Sequence, residues 1–503
     1  MYCLLSSWSF TLRVLLINPA FPDTFWSFRH ALRFIKRRAA FPPLGLLTVA
    51  AMLPSGWHKR LVDTNVRPLT DHDLQWADLV MISGMAVQRQ DARQIINRCK
   101  KAGLRVVAGG PLVTAEPHAF QNVDHFIFNE AELTLPRFLE DLASDQAKPS
   151  YSTSEFADLT RSPAPLWSLV KPRDYASASI QFSRGCPFDC EFCNITSLLG
   201  HKPRTKTGRQ ITDELESLHQ IGWRGPIFFV DDNLIGNKKA LRNELLPALI
   251  QWQKHHLHTP LQTQVSINIA DDQPLMRQMV QAGFDTVFIG IETPDELGLA
   301  ACNKRQNLHR DLTHAIRRIH HAGLQVQGGF ILGFDTDTPS IFQRQVEFIQ
   351  KSGIVTAMVG LLQAPPGTRL YQRLTNEGRL IGTFTGDNAN GATNILTQLP
   401  RETLREGYHW VMRHLYDPEA YYQRIKQFLR DYKPPRAEAA IGLDKFAAFL
   451  RSIFHHGLIS PNRLQFWKLV TWSSFHHPSQ FALAIRLWIF GDHFRKICAQ
   501  NQT

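Results

Sequence analysis

Short apolar runs that end in a small or polar residue recur along this chain, with amphipathic stretches between them. That alternation limits the fold more than any other feature. Arg13-Val-Leu-Leu-Ile-Asn-Pro19 is the first run, and Lys59–Asp63, Leu79–Ser83 and Leu104–Gly110 follow, with helical patterns such as Ala92–Ala102 between them. Strand–helix alternation predicts a parallel, doubly wound sheet, in which ligands lie beyond the carboxyl ends of the strands. Here those ends carry Asp63-Thr-Asn65, Ser83-Gly-Met85 and Gly109-Gly-Pro111. A stretch rich in Ser, Ala and Pro then reads as a linker. From Ser177 the alternation resumes with a longer repeat: Ser177–Ser183, Pro226–Asp231, Thr263–Ile269, Thr286–Ile291, Gln325–Leu332 and Val355–Leu362 are candidate strands. Amphipathic segments such as Ile211–Ile221 and Leu275–Ala282 separate them. Six such units suit a partial (β/α)6 barrel, whose functional residues sit at the C-terminal ends of its strands. Beyond Arg401 helical patterns take over, as at Glu402–Leu415 and Pro418–Tyr432. The predicted division is an α/β domain over 1–140, a linker over 141–175, a barrel over 176–400 and a helical domain over 401–503.

Directly after the first barrel strand stands Ser183-Arg-Gly-Cys-Pro-Phe-Asp-Cys-Glu-Phe-Cys-Asn194. Three thiolates spaced C-x3-C-x2-C on one tight loop can hold three irons of a [4Fe–4S] cluster and leave the fourth iron open. The alternative is a zinc knuckle. Structural zinc wants four ligands, and the nearest further candidate, His201, is not at zinc spacing.

The chain has 503 residues, 44% hydrophobic and 20% charged, with 7 cysteines, an ordinary globular composition with room for two or three domains. Cys3, Cys99, Cys302 and Cys498 are scattered, which argues against a disulfide framework and for a reducing cytosol. The start lacks the basic region and cleavage site of a signal peptide, and no apolar run is long enough for a transmembrane helix. The net charge of +12 favours anionic partners in a general way only.

The cysteine run resembles the cluster loop of the radical S-adenosylmethionine (SAM) superfamily. The resemblance implies that the amino and carboxylate groups of SAM chelate the open iron, and that one electron then splits SAM into methionine and a 5′-deoxyadenosyl radical. It also implies roles at the strand ends. Asp231-Asp232-Asn233 would meet the SAM amino group, and Glu292 in Gly290-Ile-Glu-Thr293 its ribose or amine. Gly329, Ile331 and Gly333 in Gly329-Phe-Ile-Leu-Gly333 would lie beside adenine, with Phe192 facing it. Pro365-Pro-Gly-Thr368 would close the barrel rim. Lys202, Arg204, Lys206 and Arg209 form a basic cluster after the loop, either a solvated face or a phosphate or carboxylate site.

The first domain resembles the cobalamin-binding domains fused ahead of some radical SAM barrels. Their fingerprint is D-x-H-x-x-G, then S-x-L, then a Gly-Gly turn. Asp63 matches, but Asn65 replaces the histidine and Pro68 the glycine; Ser83, Gly109 and Gly110 match, with Met85 for leucine. The lost histidine implies no imidazole below cobalt, and Asn65 is at best a weak ligand. The rival is a flavodoxin-like domain that binds nothing.

Taken together, the domain order resembles the cobalamin-dependent radical SAM enzymes, in particular the branch that includes hopanoid C-2 methyltransferases. That implies a [4Fe–4S] cluster, SAM, cobalamin and an electron donor such as flavodoxin or ferredoxin. It also implies methyl transfer to an unactivated carbon, here of a lipid or another apolar small molecule. The alternatives are cobalamin-dependent cyclisation or rearrangement, a tRNA methylthiotransferase, and a cofactor sensor. The second needs three further cysteines and a β-barrel RNA-binding domain, which the chain lacks, so no nucleic-acid partner is expected. The last seventy residues are rich in aromatics and histidine. His455-His456 and His476-His477 are not expected to bind metal, because neighbouring side chains on a helix do not face one point. The tail reads as an amphipathic cap that builds an apolar pocket or touches a membrane surface, on a cytoplasmic protein peripheral to the inner membrane face.

Overall fold

The computed structural model describes residues 11–256, 259–434 and 443–500, with backbone alone at 443–445. Cys3 lies outside the described residues. Six parallel strands form the first sheet: β1 (Arg13–Asn18), β2 (His58–Asp63), β3 (Leu79–Ser83), β4 (Arg105–Gly109), β5 (His125–Ile127) and β6 (Ser150–Tyr151), in the order β2-β1-β3-β4-β5-β6. Val14 to Ile17 are wholly buried because helices cover both faces of the sheet. Leu15, Ile17, Val80 and Ile82 pack into one apolar layer, and Val14, Leu16, Leu79 and Met81 into the other. The sequence reading missed β5, which is only three residues long, and β6, which falls inside the stretch read as linker. That stretch is a packed connection: Ala157, Leu159, Trp167 and Tyr175 are buried, and Tyr175 donates its hydroxyl to Asp63 at 3.0 Å.

The second sheet holds β7 (Ala178–Ile180), β10 (Ile227–Phe229), β11 (Leu261–Gln264), β12 (Phe284–Glu292), β13 (Gln325–Leu332) and β14 (Ala357–Leu361). The short antiparallel pair β8 (Ser183–Arg184) and β9 (Arg204–Thr205) brackets the cysteine loop. The order β14-β13-β12-β11-β10-β7 with all pairs parallel is an open (β/α)6 crescent. The expected strand Thr263–Ile269 is displaced: β11 ends at Gln264, and Ile267–Asp271 is a 3-10 turn. Its apolar side chains are buried by that turn rather than by a sheet face.

The crescent is open between β7 and β14. The segment after β1 crosses this gap. Residues 38–40 pair alongside the run into β7, with Ala176 and Ser177 donating to the carbonyls of Ala39 and Ala40 at 3.0 Å. At its other end, Phe25 and Phe28 pack on Phe494 and Phe490 of the last helix, Phe481–Gln500. The helix Arg401–Tyr416 then closes onto β14, where Tyr416 donates to the Ala357 carbonyl at 2.5 Å.

Candidate active site

The cysteine loop is built to hold one shape. Gly185 takes φ +96, and a Cβ there would lie 2.9 Å from the carbonyl oxygens of Gly200 and Lys202, so only glycine fits. At the base, the carboxylate of Asp231 is fully buried and accepts from Phe182 N (3.0 Å), Ser183 N and Ser183 Oγ (2.6 Å). At the tip, Asp189 accepts from Asn303 (2.7 Å) and pairs with Arg369 (3.1 Å), while Glu191 takes Arg373 at 2.6 Å. The loop, which follows β7 at one edge of the crescent, is therefore strapped to the segments that follow the central β12 and the far-edge β14. Burial pushes the Cys193 thiol up to about 12 and raises that of Cys186 as well, so these sulfurs ionise on binding metal rather than on their own. Among the described residues, donor groups converge within 4.8 Å, as one ion requires, at Glu216/His219/His256 and His455/His456/Asp492. The three cysteines are not such a group, and thiols spread wider than one ion requires are compatible with a larger cluster.

Beside the loop, β12 carries a bulge between Gly290 and Glu292, and Glu292 sits at φ +66. A left-handed glutamate costs about 1–2 kcal/mol, and this conformation re-aims the carboxylate. It receives the Lys304 ammonium at 2.6 Å. Burial alone would lower the Lys304 pKa, but Glu292 and the neighbouring Cys190 raise it. Asp232 is half-buried, and one of its carboxylate oxygens is buried without any partner. Burial, then the charge of Asp231, raises it to about 7. Phe192, Phe334 and Ile331 cluster with Cys302 and Leu362, the two rings 6.3 Å apart, forming an apolar slot above β13. Gly290 and Gly329 face each other in register; a Cβ on Gly329 would come within 2.8 Å of the Phe288 ring. Lower on the same concave face Phe228 and Phe288 meet Trp26, at 6.4 and 5.2 Å between rings, and Phe41 meets Phe228 at 5.4 Å.

The carboxyl edge of the first sheet meets the barrel through a buried ion network. Arg184, at the foot of the cysteine loop, reaches Glu130 and Glu132, each at 2.9 Å, and Arg204 reaches Glu130 at 2.8 Å. Burial opposes ionisation of Glu132, but Arg184 holds its carboxyl down at about 2. At the same edge Met85 is 56% exposed. Gly110 sits at φ +86, where a Cβ would fall 2.2 Å from Ser83 Oγ.

Comparison with known proteins matches residues 32–139 to the B12 binding domain, 180–349 to the radical SAM superfamily and 368–503 to a domain of unknown function. The chain is 40% identical to an uncharacterized methyltransferase of Synechocystis sp., over 96% of this chain and 91% of that one. It is 37% identical to the hopanoid C-2 methylase of Rhodopseudomonas palustris, over 91% and 88%. The fold matches the cobalamin-dependent SAM radical enzyme OxsB with aqua-cobalamin bound, at TM-score 0.60 and 13% identity over 97% of this chain and 80% of that one. The chain belongs to the cobalamin-dependent radical SAM methylase family. Its cofactors are a [4Fe–4S] cluster, SAM and cobalamin.

The residues present fit these groups. Three spread thiols suit a cluster, the orphaned Asp232 oxygen suits an ammonium, and the uncovered Met85 beside a Cβ-free turn suits a corrin and its tail. Several sequence expectations change. Asp231 is consumed by the loop and is a positioning residue, not a contact for the SAM amine. Asn233 is likewise spent, accepting from Ser266 N at 3.1 Å. Gly333, at φ +100, packs on Leu404 and donates to Asp337 at 2.7 Å; it turns the chain at the rim. Asp63 accepts from Asn18, Asn65 and Tyr175. Asn65 donates to the Pro19 carbonyl and accepts from Phe21 N, so its carboxamide is tied to the chain that follows β1. The basic cluster dissolves: Arg204 serves Glu130, Lys206 is buried against Glu214, and Arg209 lies in solvent beside Asp213. His455 and His456, in the π-helical Ile453–Ile459, do converge with Asp492. Arg33 and Lys496 already occupy that carboxylate, which disfavours a cation.

Lys304, the Arg184 network and Trp26 were missed. A lysine in a loop, two glutamates opening a helix and a tryptophan before a helix carry no spacing signal. Only the fold brings them to the site.

Proposed function

We propose that the chain methylates an unactivated carbon of an apolar, ring-bearing lipid, with Cys186, Cys190 and Cys193 as the cluster ligands. When bound, the cluster and SAM supply a hydrogen-abstracting radical and cobalamin supplies the methyl group. Asp232 accepts the SAM ammonium. Glu292, held by Lys304, accepts from the ribose hydroxyls, and Phe192, Ile331 and Phe334 sandwich adenine. Ser83, Met85, Gly109 and Gly110 receive the corrin and its tail. Asp63 and Asn65 shape that edge from behind, leaving the lower face of cobalt without a protein ligand. Arg184 sets the cobalamin domain against the loop, so that both reactive groups face one volume.

The observation that carries the substrate class is the aromatic wall of Trp26, Phe41, Phe228 and Phe288 on the concave face below Gly290 and Glu292. Such a wall offers flat apolar contact and few hydrogen bonds, which suits a fused-ring hydrocarbon. The likeness to a hopanoid methylase points the same way. The test is anaerobic turnover of the reconstituted protein with a reductant, SAM and a hopanoid. Equal yields of 5′-deoxyadenosine, S-adenosylhomocysteine and methylated lipid support the reading. 5′-Deoxyadenosine without S-adenosylhomocysteine points instead to cyclisation or rearrangement. Methylation of polar ring compounds only would overturn the lipid assignment.

A further inference from the structure

We propose that the face formed by Leu443–Ser452, the π-helical Ile453–Ile459 and Arg463–His476 docks on an anionic phospholipid bilayer. The inference extends the proposed lipid substrate and rests on it for its purpose, while its geometry stands alone. Phe446, Leu450, Phe454 and Leu458 recur every fourth residue and are all exposed, Phe454 at 62%. In a pure α-helix a four-residue spacing drifts around the axis. The wider turn of the π segment winds the drift back, so the stripe stays on one face. The next helix packs against it where the Trp467 indole donates to the Gly457 carbonyl at 3.0 Å. That helix adds Leu464, 68% exposed, and Trp467 to the same surface, with Phe475 at 84% further along.

Charge selects the occupant. Between Asp444 and Asp492 the chain contains no Asp or Glu, but it carries Arg451, Arg463, Lys468 and Arg486, of which Lys468 lies 3.5 Å from Glu419 on a neighbouring helix. Arg451 binds the Phe34 carbonyl, bringing alongside a second amphipathic segment in which Ile35 and Lys36 are exposed. Apolar side chains flanked by cations, with aromatic residues among them, match the interface of an anionic membrane. A second copy of the chain would set these cations against each other. Among the described residues no helix is long and apolar enough to cross a bilayer, so the contact is one-sided. It would let an apolar substrate enter without crossing water.

The test is co-sedimentation of the reconstituted protein with phosphatidylglycerol/phosphatidylethanolamine vesicles and with phosphatidylcholine vesicles. Size-exclusion light scattering without lipid runs beside it. We expect binding to the anionic vesicles that weakens in high salt. R463Q/K468Q should weaken it about 25-fold, taking about fivefold per charge, and F454E/L458E should abolish it. All these side chains are exposed, so unchanged circular dichroism and unchanged 5′-deoxyadenosine formation in detergent are expected of both variants. That readout separates failure of docking from failure of the proposed chemistry. No sedimentation with either vesicle, binding indifferent to charge and salt, or a lipid-free dimer that F454E/L458E dissolves would each overturn the proposal.

Discussion

Replacing Arg184 by Met tests whether the cobalamin domain is fixed to the cluster loop by charge. The Arg184 side chain is 15% exposed, and its guanidinium bonds to Glu130, Glu132 and Gln181. Glu130 keeps Arg204 after the substitution, whereas Glu132 loses its cation and keeps the Ser162 hydroxyl and a backbone amide. The native Glu132 carboxyl lies at about 2 against an ordinary 4.5, which corresponds to about 3 kcal/mol. Because the folded value is depressed, this stabilisation is present above pH 4.5 and fades as pH falls towards 2. In the variant, burial without a cation raises Glu132 above its ordinary value, so the defect grows as pH rises. Hydrogen–deuterium exchange of the peptides covering Ala131–Ala143 and Ser183–Thr205 reads this as local opening. We expect opening to become easier by about 3 kcal/mol at pH 8 and by less at pH 5.5. 5′-Deoxyadenosine should still form while lipid methylation falls. A change below about 1 kcal/mol at both pH values, or one independent of pH, would refute the argument.

Asp232→Asn removes an anionic acceptor for the SAM ammonium, a charged hydrogen bond of about 1.5–3 kcal/mol; KM for SAM should rise about 10- to 100-fold while iron content stays native. Gly110→Ala drives a Cβ to 2.2 Å from Ser83 Oγ; we expect loss of retained cobalamin after desalting, with the cluster spectrum unchanged. Trp26→Ala strips the aromatic wall but not the SAM site; 5′-deoxyadenosine yield should persist while methylated lipid drops at least tenfold, measured in the same reaction.

Much of the fold was legible because parallel strands covered on both faces are nearly continuous apolar runs. Gln325–Leu332 was read with its observed limits, and the cysteine loop fell directly after a strand. Strands of two or three residues, such as β6, bury too little to leave a pattern. The strand-end acids were harder. Asp231 and Asp232 are adjacent and chemically identical, yet one is consumed by backbone donors and the other is left with a free oxygen. That difference is set by which backbone amides lie opposite, and it exists only in three dimensions. Asn65, at best a weak ligand by its chemistry, is tied to partners on the chain from Pro19 to Phe21 that only the fold brings beside it.

The segment that leaves β1 and places Trp26 inside the barrel makes the first domain part of the second one's interior wall. A cobalamin domain exchanged between two such enzymes at the apparent boundary near residue 140 would bring a foreign Trp26 equivalent into the recipient's cavity. Recombination at that seam would therefore alter which molecule is accepted, even with every barrel residue retained. In this architecture selectivity is inherited partly with the cobalt carrier, and libraries intended to change it should begin before residue 41.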